Sequence, residues 1–233
     1  NPSIDLFWLL NPNCTVTPST AEAYANKAQA TQQFSLMGGR TIYAEPPNLI
    51  QSDGGLINKW TGVCRTFNRG ADPTSAPPPP ESDIDFIAGA NFVASRPFIE
   101  TAGLMNEHYF LYYEEVDWAL RRGSLPFLLC VDAIAYHEGG TSIGTGSLTR
   151  RSSAFANYFN YRNRMRFMSK FFPRRTPIAY MYSTAKILKL FAKGAVDEAS
   201  GAYRGLNGLN PPVNVRARLS ASATEYAFNP GKH

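Results

Sequence analysis

The chain has 233 residues and a formal net charge of +5, with a pI near 9.1. That length builds one large domain or two small ones and buries roughly 70% of its unfolded surface. No apolar run approaches the roughly 20 residues that a bilayer-crossing helix needs. Charge is unevenly spread: between Gly139 and Val196 stand eleven Lys or Arg and no Asp or Glu. This half calls for an anionic partner, be it nucleic acid, a diphosphate or a membrane surface. Cys14, Cys64 and Cys130 are scattered without CxxC spacing, which fits reduced thiols in a cytosolic protein.

In chain order, Leu6-Phe7-Trp8-Leu9-Leu10 is a short apolar run stopped by Asn11-Pro12-Asn13. It fits a strand buried on both faces of a mostly parallel sheet, and ligands bind at the carboxyl ends of such strands, where Asn11 and Asn13 sit. A plain Asn-Pro turn is an equally good reading of these residues alone. Ser19 or Thr20 is expected to cap a polar helix through about Gln33. Gly38-Gly39 is expected to turn the chain into a strand at residues 40–44. Residues 48–68 carry few regular signals. Residues 69–82, with Pro73 and Pro77 to Pro80, predict an exposed, mobile polyproline-like loop, either an insertion or a lid. Residues 85–95 predict a second buried strand, in which Gly89 and Ala90 are small enough for a ligand to come close. Residues 96–102 predict a short helix ending at Gly103.

Residues 110–121 gather Glu114, Glu115 and Asp117 ahead of Arg121 and Arg122, the order a helix dipole prefers. As a helix, this stretch puts Glu114, Asp117 and Arg121 on one face and Glu115 on another. One of the adjacent glutamates is then a lone base, held ionised by the helix N-terminus. A third buried strand at 126–131 leads to His137 and a Gly/Ser/Thr-rich loop at 139–147, a combination suited to a metal or a diphosphate. Beyond Ser153 the pattern is helical. Phe155, Tyr158, Phe159, Met165, Met168 and Phe172 mark one core face, with Arg162, Arg164, Arg166 and Lys170 elsewhere. Ile178, Met181, Ala185 and Leu188 mark the next helix, with Lys186, Lys189 and Lys193 on a common face and Gly194 as its stop. The tail after Gly208 is expected to be extended.

These residues carry a resemblance. Leu9-Leu10-Asn11-Pro12-Asn13, the 85–96 strand with Gly89-Ala90, Gly103 to Phe110 followed by Tyr113-Glu114-Glu115-Val116-Asp117, His137-x-x-Gly140-x-Ser142, and Tyr158 with Tyr161-Arg162-Asn163-Arg164 occur in the order of landmarks in family 2 glycosyltransferases. The chain resembles the bacterial rhamnosyltransferase-like branch from about residue 6 to 209. The resemblance implies a GT-A-type, mostly parallel α/β sheet flanked by helices, lacking part of its N-terminal nucleotide-binding half. Residues 1–150 would be the carboxyl-side part of the catalytic domain, 151–209 a basic helical segment and 210–233 an extended tail. It further implies an inverting transfer from a nucleotide-sugar donor to a saccharide or lipid-diphosphate-linked acceptor, at the inner face of the cell membrane. By this match Glu115 is the base and Glu114, Asp117, Tyr113, Gly89 and Ala90 line the acceptor. Asn11 and Arg162 lie at the donor diphosphate, and Asn13 and His137 hold Mg²⁺ or Mn²⁺. Glu115 and Asn13 stand where the family has Asp. A catalytically inactive module of the same fold is the alternative reading. A nucleic-acid binder is suggested by charge alone, without base-stacking motifs.

Overall fold

The computed structural model of the chain describes residues 4–31, 33–45, 48–138, 144–146 and 148–228. Two compact units emerge: Asn1–Ile57 with Cys64–Met105 and Glu115–Gly139, and Asn58–Val63 with Asn106–Glu114 and Gly140–His233. The division is not a single cut near residue 150, because two short excursions leave the first unit and join the second.

The strands of the first unit are β1 (Leu6–Leu10), β2 (Cys14–Val16), β3 (Leu36–Tyr43), β4 (Ile50–Ser52), a small hairpin of β5 (Gly55–Ile57) and β6 (Cys64–Thr66), β7 (Asn91–Ser95) and β8 (Leu128–His137). The main sheet runs β1-β7-β3-β8-β2, with β4 also paired to β3. Only β3 and β8 run parallel; the other pairs in this sheet are antiparallel. The expected mostly parallel sheet is therefore corrected to a mixed, mostly antiparallel one. Apolar runs report that both faces of a strand are covered, and a central antiparallel strand can be covered as well as a parallel one. β1 departs further from expectation. It ends the strand order, and its Leu6, Trp8 and Leu10 are exposed while Phe7 and Leu9 are half-buried.

The glycines of β3 lie inside the strand rather than turning into it. A Cβ on Gly39 would stand 2.2 Å from the Ala133 carbonyl oxygen and 2.4 Å from the Tyr24 hydroxyl, so only glycine lets the helix and β8 close on the strand here. That helix is α1 (Pro18–Gln29), begun by Thr17, whose backbone N–H donates to Thr20 Oγ1 at 3.3 Å. Helix α2 (Arg96–Ala102) is capped by Ser95, which accepts from the Phe98 N–H at 3.2 Å, and ends at Gly103 with φ of 67°. The proline-rich loop is tied to the sheet by hydrogen bonds. Buried Arg40 pairs with Asp53 at 2.8 Å and donates to the carbonyls of Pro73 (2.7 Å) and Ala76 (3.0 Å). Asn68 donates to Pro77 at 2.8 Å beside them.

The second unit is built on α4 (Ala154–Phe171), started by Ser153, which accepts from the Ala156 N–H. Helices α5 (Thr176–Ala192) and α6 (Val196–Leu206) pack with it. Gly201 and Gly205 of α6 lie against the backbone of Ala154 and Tyr158, where an added Cβ would sit 2.3 and 2.1 Å from their carbonyl oxygens. The tail is not extended: α7 (Val213–Arg216) and α8 (Ala221–Phe228) fold back, burying Val215 and Ala227 with Phe155, Tyr158 and Phe159.

Candidate active site

In the first unit, Asn11 follows β1, and its backbone N–H donates to the Ala90 carbonyl at 2.9 Å. This bond holds the end of β1 against the Gly89-Ala90 segment that leads into β7. The thiol of Cys14 donates to the same carbonyl (3.4 Å), and burial pushes its pKa up to about 11, so this cysteine is an inert thiol. Pairing of β2 with β8 sets Cys14 opposite His137. His137 is the last residue of β8 rather than a residue following it.

Three side chains meet there. Asn13 Nδ2 donates to the Glu138 carbonyl at 2.7 Å, which turns its Oδ1 toward His137 Nε2, 3.0 Å away. His137 Nδ1 faces Gln51 Oε1 at 2.7 Å. The imidazole thus stands between two amide oxygens, although a neutral ring carries one proton and satisfies one of them. Burial holds the pKa of His137 below the usual imidazole range, against the opposing charge of Glu138, so a second proton is disfavoured at pH 7. His137 Nε2 and Asn13 Oδ1 lie at the 3.0 Å of an ordinary hydrogen bond. They are also neutral donors of kinds that can ligate a divalent cation, although no cluster of three His, Cys, Asp or Glu that could hold a metal occurs among the described residues.

Gly89, exposed and without a side chain, faces Glu115: a Cβ there would stand 3.9 Å from Glu115 Cγ. Glu115 belongs to α3 (Glu114–Leu120), which begins four residues later than the sequence predicts. Buried Asp117 accepts from Arg121 Nε at 2.8 Å, and Arg121 also donates to the carbonyls of Ala102 and Leu104. Asp117 thereby holds Arg121 against the end of α2.

The remaining expected site residues lie in the second unit and have other work. Phe110, Tyr112 and Tyr113 adopt positive φ of 62°, 67° and 72°, and Phe110, with ψ of −46°, centres a γ-turn closed by the Leu111 N–H donating to the Tyr109 carbonyl at 2.7 Å. Such backbone costs a non-glycine residue roughly 1–3 kcal/mol. This turn replaces the predicted first helical turn. Asn163, fully buried, holds it by donating to the carbonyls of Tyr109 (2.7 Å), Leu111 (2.7 Å) and Tyr112 (3.2 Å). Arg162, expected at the diphosphate, is only 5% exposed and donates to Tyr109, Ala227 and Asn163, with its guanidinium 4.7 Å from the Phe159 ring centre. Such a side chain cannot reach a ligand without abandoning three partners. Tyr113, expected beside the acceptor, is buried with its hydroxyl on the Gly62 carbonyl at 2.7 Å. Burial raises the pKa of Glu114 above the usual carboxylate range, and its Oε2 has no hydrogen-bond partner among the described residues.

The first unit thus holds Asn11, Asn13, His137, Gly89, Ala90, Glu115 and Asp117, with Asn13 against His137, Asn11 against Ala90 and Glu115 beside Gly89, while Tyr113, Glu114 and Arg162 belong to the second unit. Gly140 and Ser142 lie outside the described residues. Sequence reasoning missed Gln51, which sits in a short strand that periodicity does not announce. It also missed the part played by Asn163, although that residue stands inside a quoted landmark. No protein-family model matches the chain, and neither does any curated protein with which it was compared.

Proposed function

We propose that the chain is an inverting glycosyltransferase of GT-A type that moves a sugar from a nucleotide-sugar donor to a hydroxyl of a saccharide or lipid-linked saccharide. The observation that carries this reading is the Glu115 carboxylate beside side-chain-free Gly89. The Asn11–Ala90 hydrogen bond ties that segment to the strand end bearing Asn13 and His137. In this reading Glu115 removes the proton of the acceptor hydroxyl as its oxygen attacks the anomeric carbon. The bond from that carbon to the diphosphate breaks and the configuration inverts. Asn13 and His137 would hold Mg²⁺ or Mn²⁺, Gln51 would orient the imidazole, and Asn11 would lie near the diphosphate. When bound, the cation neutralises charge on the departing nucleoside diphosphate. The reaction belongs at the cytoplasmic face of the cell membrane, in bacterial surface polysaccharide synthesis.

A second reading assigns the base to Glu114, favoured by its buried, partnerless oxygen and raised pKa, the condition in which a carboxyl becomes a stronger base. Nucleoside diphosphate release from a panel of nucleotide sugars separates the two. General-base loss costs about 10²–10⁴-fold in rate, so Glu115→Gln should fall by that factor with donor binding retained, while Glu114→Gln is milder. The reverse pattern moves the base to Glu114. Full activity in both variants, or no release from any donor, sinks the transferase reading.

A further inference from the structure

The residues that mark helix α5 in the sequence, Ile178, Met181, Ala185 and Leu188, do not face the core: Met181 and Leu188 are each 63% exposed and Ile178 is 38% exposed. The side that packs is the opposite one, carrying Ala179, Ser183 and Ile187, all buried. At about 100° per residue the two stripes lie roughly half a turn apart. The solvent side is therefore an apolar stripe four side chains long. Lys186, Lys189 and Lys193 run along one edge of it, all exposed. The amino end of the helix is marked the same way. Arg175 lies over the ring of Trp60 at 4.4 Å, and Trp60 is 55% exposed in the same unit.

We propose that α5, extended by Trp60, is an interfacial helix that lies flat on an anionic lipid bilayer. Ile178, Met181 and Leu188 enter the headgroup–acyl boundary, the lysines reach anionic headgroups from the edge, and the indole sits at headgroup level. Charge selects this occupant. The face has cations and apolar groups and no carboxylate within the helix, so a second copy would set lysine against lysine. A soluble polyanion would leave the apolar stripe in water. No described helix is long and apolar enough to cross a membrane, which suits a helix that lies in the surface. The inference rests on the membrane location proposed above but not on the transfer chemistry.

The test is flotation of the full chain with vesicles of phosphatidylcholine containing phosphatidylglycerol, without nucleotide sugar, so that failure here leaves the transferase reading standing. Partitioning should weaken roughly tenfold for each of Met181→Ser and Leu188→Ser, and roughly fivefold for each lysine changed to Gln at low salt. Because all these side chains are exposed, circular dichroism should be unchanged. Equal binding to pure phosphatidylcholine would overturn the proposal. So would unaltered flotation of the Met181→Ser/Leu188→Ser double variant. A vesicle-free dimer abolished by those same substitutions would assign the stripe to a second copy instead and overturn it too.

Discussion

Replacing Asn163 with Leu, which is close in volume and cannot hydrogen-bond, tests the assignment of the aromatic turn to a single buried amide. Asn163 is fully buried; its two N–H groups serve the carbonyls of Tyr109, Leu111 and Tyr112, and its oxygen accepts from Arg162 Nε at 3.1 Å. The Tyr109 carbonyl keeps its bond from Arg162 at 3.1 Å, so three partners lose a donor or acceptor, and at about 1–3 kcal/mol each they set an upper range near 9 kcal/mol. Part is recovered as the turn relaxes, because Phe110, Tyr112 and Tyr113 then give up positive-φ strain of roughly 1 kcal/mol apiece. A net loss of about 3–5 kcal/mol remains, a large share of the 5–15 kcal/mol that holds a typical domain folded. At about 2–4 °C per kcal/mol for a chain of this size, Tm should fall by about 6–20 °C. Thermal unfolding followed by circular dichroism measures it. Asn160→Ala, one turn earlier on α4, is the comparison: it removes a single contact from Arg164 and should cost about 1 kcal/mol. If Asn163→Leu lowers Tm no more than Asn160→Ala, the turn is held by its aromatic packing and not by Asn163.

Other substitutions probe the site and the sheet. Because burial raises the folded pKa of Glu114 above its unfolded value, its favourable contribution is complete at acid pH below about 4.5 and is lost as pH rises through the folded pKa. Glu114→Gln should therefore stabilise the chain at neutral pH and flatten the dependence, as read by urea unfolding between pH 4 and 8. With neutral donors at Asn13 and His137, Mn²⁺ should bind weakly alone and much more tightly with a nucleoside diphosphate, by isothermal titration. Gln51→Leu should cost about 10–100-fold in the second case, and an unaffected titration would remove Gln51 from the site. Gly39→Ala should cost more than about 3 kcal/mol, because its Cβ meets backbone oxygen at 2.2 Å rather than a movable side-chain tip. A soluble variant with unchanged Tm would contradict the packing of β3.

Some of this was legible in the residues. The Ser95-to-Gly103 helix, the strand ends bearing Asn11, Asn13 and His137, and the acidic opening of α3 all follow from local chemistry that tertiary context did not override. The failures share a cause. Periodicity identifies one side of a helix but not which side finds a partner, so the spacing that marks α5 does not reveal that its stripe faces solvent. The helical pattern set Arg162 and Arg164 off the core face, yet both are buried because carbonyls and tyrosine rings surround them. Aromatic residues do not announce a positive-φ backbone, so Phe110, Tyr112 and Tyr113 read as helix, whereas Asn163 holds the carbonyls of Tyr109, Leu111 and Tyr112 in a turn. Strand direction was misjudged because burial carries no information about the polarity of a neighbour.

The Arg40 clamp changes what a protease would learn from this protein. A stretch holding Pro73 and Pro77 to Pro80 ordinarily invites cleavage at its own local fluctuations. Here the guanidinium that fixes the Pro73 and Ala76 carbonyls belongs to β3, in the middle of the sheet, and is held by a buried carboxylate. Lifting the segment breaks both of those bonds and leaves the buried guanidinium with Asp53 as its partner, at about 1–3 kcal/mol for each lost partner of a charged donor. Nicking near residues 73–76 is slowed by that local opening cost. A surface loop that composition marks as loose is anchored from beneath by a charge in the sheet.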